Sequence, residues 1–163
     1  MNTIPQLALS SVRRWAHLIR TRAIARTSEH VGMDYRIDRG GTYRVFRDTR
    51  AHDGTMDPCA VLVVGFRLRL IGSQAFMHWL FQRVCLLTTP FWSGFRGFRV
   101  KLWMVDPDTR NYLGIYEWAG DGNARHYVEA LARVLRPLSA RDSVWYELYP
   151  DQELASFLSV RQA

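Results

Sequence analysis

The sequence predicts an α+β domain with the element order β-α-β-β-α-β, preceded by an N-terminal helical arm and a hairpin. Three observations carry this expectation. Phe98–Val105 and Tyr112–Trp118 are strand-like runs on either side of the turn Asp106-Pro107-Asp108-Thr109. Ala124, Tyr127, Val128, Leu131, Val134 and Leu135 then keep a 3.6-residue period. Before the pair, Ala60–Leu70 begins as a continuous apolar run and ends in alternation at Phe66, Leu68 and Leu70, as a strand of a half-covered sheet does.

Taken in order, residues 1–32 are an Arg-rich arm in which Val12, Trp15, Leu18 and Ile19 recur at helical spacing. Its first 28 residues lack acids, the composition of a mitochondrial transit peptide. A structured or partner-binding arm and an extended start, with translation beginning at Met33, are the other two readings. Residues 33–58 are a hairpin and loop: Tyr35-Arg36-Ile37 and the run Thr42 to Arg47 flank a Gly-rich turn, and Arg50 to Pro58 holds turn dipeptides. The domain proper spans 59–150. After the strand Ala60–Leu70, Ser73 caps a helix over Gln74–Leu87, and Pro90 forces the chain out of helical geometry. Asp121 or Asn123 caps the second helix, and Ser143–Tyr149 is the last strand, ended by Pro150. Residues 151–163 supply a short helix capped by Asp151. This order is the split βαβ of ferredoxin-like domains, with both helices on one face of an antiparallel sheet.

The chain has 163 residues, 48% apolar and 13% aromatic, enough for one globular domain with a modest core. One sheet-and-helix layer covers so much aromatic surface poorly, which favours oligomerisation. The net charge of +7 is uneven: residues 1–32 carry +4, leaving +3 on the fold itself. A nucleic-acid-binding domain concentrates its basic residues on the fold, so nucleic acid is not an expected partner. Cys59 and Cys85 form no metal or disulfide framework. The longest apolar runs, such as Ala60 to Phe66, are too short to cross a bilayer, and the expected location is the cytoplasm.

Alternation separates the two sheet faces. Counting places Leu62, Val64, Phe66, Phe98, Val100, Leu102, Met104, Leu113 and Ile115 against the helices. It leaves Val61, Val63, Arg67, Arg69, Arg99, Lys101, Trp103, Tyr112, Tyr116, Trp118, Trp145, Glu147 and Tyr149 on a face that is bare in a monomer. Packing two such faces together in a homodimer buries the aromatics and leaves a pocket in each subunit.

The run Gly97 to Asp106, with Lys101-Leu102-Trp103 inside it, the strand Tyr112 to Trp118 and the helix start Ala124 to Tyr127 resemble the YdhR-like monooxygenases. These belong to the dimeric α+β barrel superfamily, which also contains the antibiotic-biosynthesis monooxygenases. The resemblance covers roughly 60–149. It departs at Arg96-Gly97, where the family has Pro-Gly, and the arm and hairpin lie outside it. It implies a dimeric α+β barrel, and oxidation of an aromatic or polyketide-like compound without flavin or metal, through a deprotonated substrate that reacts with oxygen.

Such chemistry needs an apolar pocket, a donor for the developing oxyanion and a base. Phe76, Trp79, Trp103 and Tyr116 supply pocket candidates, with Trp118 and Trp145 also on the aromatic face. Lys101 or Arg67 would stabilise an enolate, and His78, which titrates near neutrality, is the candidate base, with Tyr116 as a further candidate catalytic hydroxyl. No Gly-rich phosphate loop follows a strand, so no nucleotide cofactor is expected, and no metal ligand set is present. A non-catalytic ligand-binding or assembly protein, its basic arm engaging a partner, is the alternative.

Overall fold

The computed structural model describes residues 12, 13, 16, 17, 20, 24–39, 41–51, 58–69, 83 and 93–163. Of the expected helix over Gln74–Leu87 only Arg83 is described, and it is helical; Phe76, His78 and Trp79 lie outside the described residues. Among those described, the seven strands β1 (Ile24–Thr27), β2 (Asp34–Ile37), β3 (Gly41–Ala51), β4 (Cys59–Phe66), β5 (Phe98–Val105), β6 (Tyr112–Ala119) and β7 (Trp145–Pro150) form one sheet. The helices described along their length are α1 (Asp121–Leu138) and α2 (Leu154–Ser159), and residues 12, 13, 16, 17, 20, 83 and 93 are helical as well.

The last four strands lie in the spatial order β5-β6-β4-β7, every pair antiparallel. Counting within the domain, this places the second, third, first and fourth strands side by side, which is the ferredoxin-like arrangement. The Asp106 to Thr109 turn is built by its first carboxylate, whose Oδ1 accepts the backbone N–H groups of Asp108 at 2.9 Å and Thr109 at 3.0 Å. Burial alone would raise the Asp106 pKa, but hydrogen bonds from Thr109 and the Asp108 backbone outweigh it and hold the carboxyl below its usual value.

The hairpin is part of the same sheet. β3 pairs with β5 from Arg44↔Val105 to Arg50↔Val100, and its other edge receives β2 and then β1. Arg50 and Ala51, expected in a loop, are the end of β3. The arm likewise ends in strand β1, where only helical spacing was anticipated. The turn between β1 and β2 is tied down by Asp48, which is fully buried and bound to His30 Nδ1 at 3.0 Å, while Arg50 bridges to Glu29 at 2.9 Å.

The two faces differ from the counted ones. α1 packs on β4, β6 and β7, and the cluster beneath it holds Leu62, Val64, Phe98, Trp103, Tyr116, Trp118 and Tyr127. Val61, Val63, Val100, Leu102, Met104, Leu113 and Ile115 form the opposite cluster with Leu154, Phe157 and Leu158 of α2 and Tyr35 and Ile37 of β2. The assignment of β5 and β6 is therefore reversed. In β5 the cause is a bulge: Phe98 opposes Trp118 and Val100 opposes Glu117, so Arg99 is an extra residue and alternation restarts one position later. In β6 the large rings fill the space under α1, and the aliphatic residues meet α2. β4 and β7 keep their counted phase.

The far face is consequently not bare. Phe157, Leu154 and Leu158 are buried on it, and Glu117 Oε2 accepts the Leu154 N–H at 2.8 Å at the start of α2. The chain end is stitched to β2 by Arg36 N–H to Arg161 O at 2.7 Å and Ala163 N–H to Asp34 O at 3.0 Å. α2 thus covers the apolar part of the face expected to pair in a homodimer. No described helix is long and apolar enough to cross a membrane.

Candidate functional site

Residues directly opposite in an antiparallel sheet share a face, so the register places side chains in rows. One row on the α1 side runs Thr49, Lys101, Tyr116, Leu62 across β3, β5, β6 and β4. The next runs Arg47, Trp103, Gly114, Val64. Gly114 has a local purpose: a Cβ there would lie 2.8 Å from the Tyr116 ring and hydroxyl, so only its missing side chain lets that ring lie down on the strand.

Lys101 is 4% exposed, and its Nζ lies 3.1 Å from the centre of the Trp103 ring and 4.6 Å from that of Tyr116. The negative faces of the two π-systems meet the ammonium, an interaction of about 2 kcal/mol when desolvated. Beside it, Thr49 is 3% exposed and Trp103 8%. Thr49 Oγ1 and Trp103 Nε1 are buried and find no hydrogen-bond partner among the described residues. A buried orphan donor costs roughly 1–3 kcal/mol, so these two polar atoms mark a place where folding stability is given up. A cation and two donors on an aromatic floor suit a flat ligand with a negative oxygen.

Lys101, Trp103 and Tyr116 are thus brought together, on the face opposite to the one expected. Trp118 joins them as packing: it is fully buried, 4.7 Å from the Tyr127 ring centre and 5.7 Å from that of Phe98. Arg67 and Trp145 stand elsewhere. They line a cavity of about 220 Å³ beyond the end of β4, with Arg39, Tyr43, Phe66 and Asn111. The Trp145 ring lies directly on the Gly65 backbone, on the α2 side of the sheet.

Thr49 and Arg47 were not anticipated, because their strand reads as a separate hairpin. The alternation of Arg47, Thr49 and Ala51 was readable, but a bulge between Val45 and Arg47 puts Val45 on the other face, and the partner strand is not encoded locally. Elsewhere the ionisable groups are structural. Burial first, then the hydrogen bond to Glu147, pushes the Tyr149 phenol up, and burial likewise raises the Cys59 thiol, against which Arg99 partly acts from 2.8 Å. No group of three or more His, Cys, Asp or Glu among the described residues could hold a metal ion.

No protein-family model matches the chain, and no curated protein does. Among solved structures it is similar to SnoaB, a cofactor-independent oxygenase from Streptomyces nogalater, at 20% identity over 59% of this chain and 95% of that one, TM-score 0.41. It is also similar to a ferredoxin-fold protein from Listeria monocytogenes related to antibiotic biosynthesis monooxygenases, at 12% identity over 80% and 93%, TM-score 0.46. A monooxygenase-like protein from Listeria innocua gives 12% identity over 80% and 92%, TM-score 0.43. With every TM-score below 0.5, the fold rests on the strand order of this chain, and the reading of its function on its own side chains.

Proposed function

We propose that the protein is a cofactor-independent monooxygenase, or a related small-molecule enzyme, acting on an aromatic or polyketide-like compound. The observation that carries this reading is the buried Lys101 ammonium seated on Trp103 and Tyr116, with the Thr49 hydroxyl and Trp103 indole N–H, which have no partner among the described residues, on the same face. The sequence resemblance to the YdhR-like monooxygenases supports it independently.

In this reading the substrate is a phenol or 1,3-dicarbonyl with an acidic ring CH2. A base removes one CH2 proton, leaving a carbanion whose charge is delocalised onto the ring oxygen. Lys101 holds that oxygen by charge, with Thr49 and Trp103 as hydrogen-bond donors. The electron-rich carbon transfers electrons to O2 and forms a C–O bond. Loss of water converts the CH2 to C=O, so the carbon gives up four electrons and O2 ends as one carbonyl oxygen and one water. His78 is the proposed base, with the Tyr116 hydroxyl as the alternative.

Oxygen uptake with a readily ionised polycyclic phenol, without added flavin or metal, tests the proposal. Lys101→Met is expected to lower kcat/KM by about 100-fold or more, as for loss of one oxyanion donor. Uptake that needs flavin, or is unchanged in Lys101→Met, refutes it. Tight binding of the same phenol with no uptake favours the ligand-binding alternative.

A further inference from the structure

The cavity at the end of β4 has a different chemistry from the Lys101 cluster. Phe66 stands between them: it packs against the cluster that contains Trp103 and Tyr116 and also lines the cavity, its ring stacked on Tyr112 at 5.8 Å. Behind it, the cavity floor is the Trp145 indole, held flat because Gly65 has no side chain to lift it. The Arg39 guanidinium carbon lies 5.7 Å from that ring's centre, and Arg39 is oriented by Glu147, whose Oε1 accepts from Nε at 2.9 Å.

Arg67 supplies the second cation. Its backbone is pinned, the N–H donating to Ser143 Oγ at 3.3 Å and the carbonyl accepting from Ala140 N–H at 2.7 Å. Its guanidinium makes no hydrogen bond or ion pair to a described residue. Tyr43 adds no negative charge, because burial, and then Asp106, pushes its phenol upward in pKa. Asp142 is the opposing charge on the rim, but its side chain is 93% exposed and lies 3.8 Å from Arg141. It therefore acts through solvent and weakly.

We propose that this cavity is a binding site for a one-ring aromatic anion, the ring lying on Trp145 and a carboxylate or phosphate held between Arg39 and Arg67. Size and chemistry agree. At about 220 Å³ the cavity is below the roughly 300–1,000 Å³ of sites for drug-sized ligands, and it fits a single ring with one charged group. The indole face supplies stacking, the two guanidinium groups supply charge-assisted donors, and Asn111 supplies a neutral polar group on the wall. The site does not depend on the oxygenase reading, since none of its residues takes part in that chemistry.

The test uses the full chain labelled with 5-fluorotryptophan and followed by fluorine NMR, the Trp145 resonance being identified by its loss in Trp145→Phe. Phenyl phosphate should shift that resonance saturably, while benzyl alcohol and inorganic phosphate at equal concentration should not. Arg67→Ala should weaken phenyl phosphate binding by about tenfold or more, with the other indole resonances unmoved. The proposal is overturned by the absence of a saturable shift, by an equal response to benzyl alcohol or inorganic phosphate, or by unchanged affinity in Arg67→Ala.

Discussion

The two faces of the central sheet are built on opposite principles. On the α2 side, Val61, Val63, Leu102, Met104 and Ile115 meet Leu154, Phe157 and Leu158, an aliphatic and aromatic seal. On the α1 side, strands β3, β5 and β6 present Thr49, Lys101, Trp103 and Tyr116; Lys101 is a buried cation, and the Thr49, Trp103 and Trp118 donors find no partner among the described residues. One face yields stability from burial, and the other gives some of it up. That division is the one expected where a site is carried by a rigid sheet, because the sealed face fixes the strands that position the polar one.

The seal on the α2 side depends most on Phe157, which is 1% exposed. Phe157→Ala should cost about 3–5 kcal/mol of unfolding free energy, read from urea denaturation, and should promote self-association through the uncovered apolar face. A loss under about 1 kcal/mol would mean that α2 does not seal the sheet.

On the other face, Gly114→Ala puts a Cβ where the buried Tyr116 ring now lies. The expected cost is about 1–3 kcal/mol, together with loss of the Lys101–Tyr116 geometry and of activity; wild-type stability with wild-type activity would show that the ring is free to move.

The smallest effect has the opposite sign. Thr49→Val keeps the side-chain shape and removes the orphan hydroxyl, so it should stabilise the protein by about 1 kcal/mol while weakening ligand binding. A destabilised Thr49→Val would show that the hydroxyl is already satisfied, and the contrast between the faces would shrink to Lys101 and the indole N–H groups.

Much of this architecture was legible in the sequence, and the exceptions have physical causes. The β5–β6 hairpin announced itself through its turn, since Asp106 and Thr109 write their own local hydrogen bonds. α1 was readable from its period. What failed was parity, and it failed at Arg99, because a bulge adds a residue without leaving a compositional mark. That single residue transferred Lys101 and Trp103 to the other side of the sheet. β3 was recognised as a strand but not as a neighbour of β5, since strand pairing across more than fifty residues is a tertiary choice. Thr49 and Arg47 therefore escaped notice. Lys101, Trp103 and Tyr116 were identified as a group because they alternate on adjacent strands, and that grouping survives a reversal of face. Arg67 and Trp145 were grouped with them wrongly: Trp145 keeps its counted face while the other three change sides, and Arg67 lies past the end of β4, where alternation no longer describes direction.

Lys101 is the only lysine in the chain, and it is buried in the middle of the sheet. In the native state, then, the single side-chain amine is shielded from lysine-specific proteases and from enzymes that modify lysine. Cleavage after Lys101, which parts residues 1–101 from 102–163, requires β5 to leave its neighbours. One peptide bond thereby reports the detachment of β5, and where reclosing outpaces the cut its cleavage rate follows the population of the opened state.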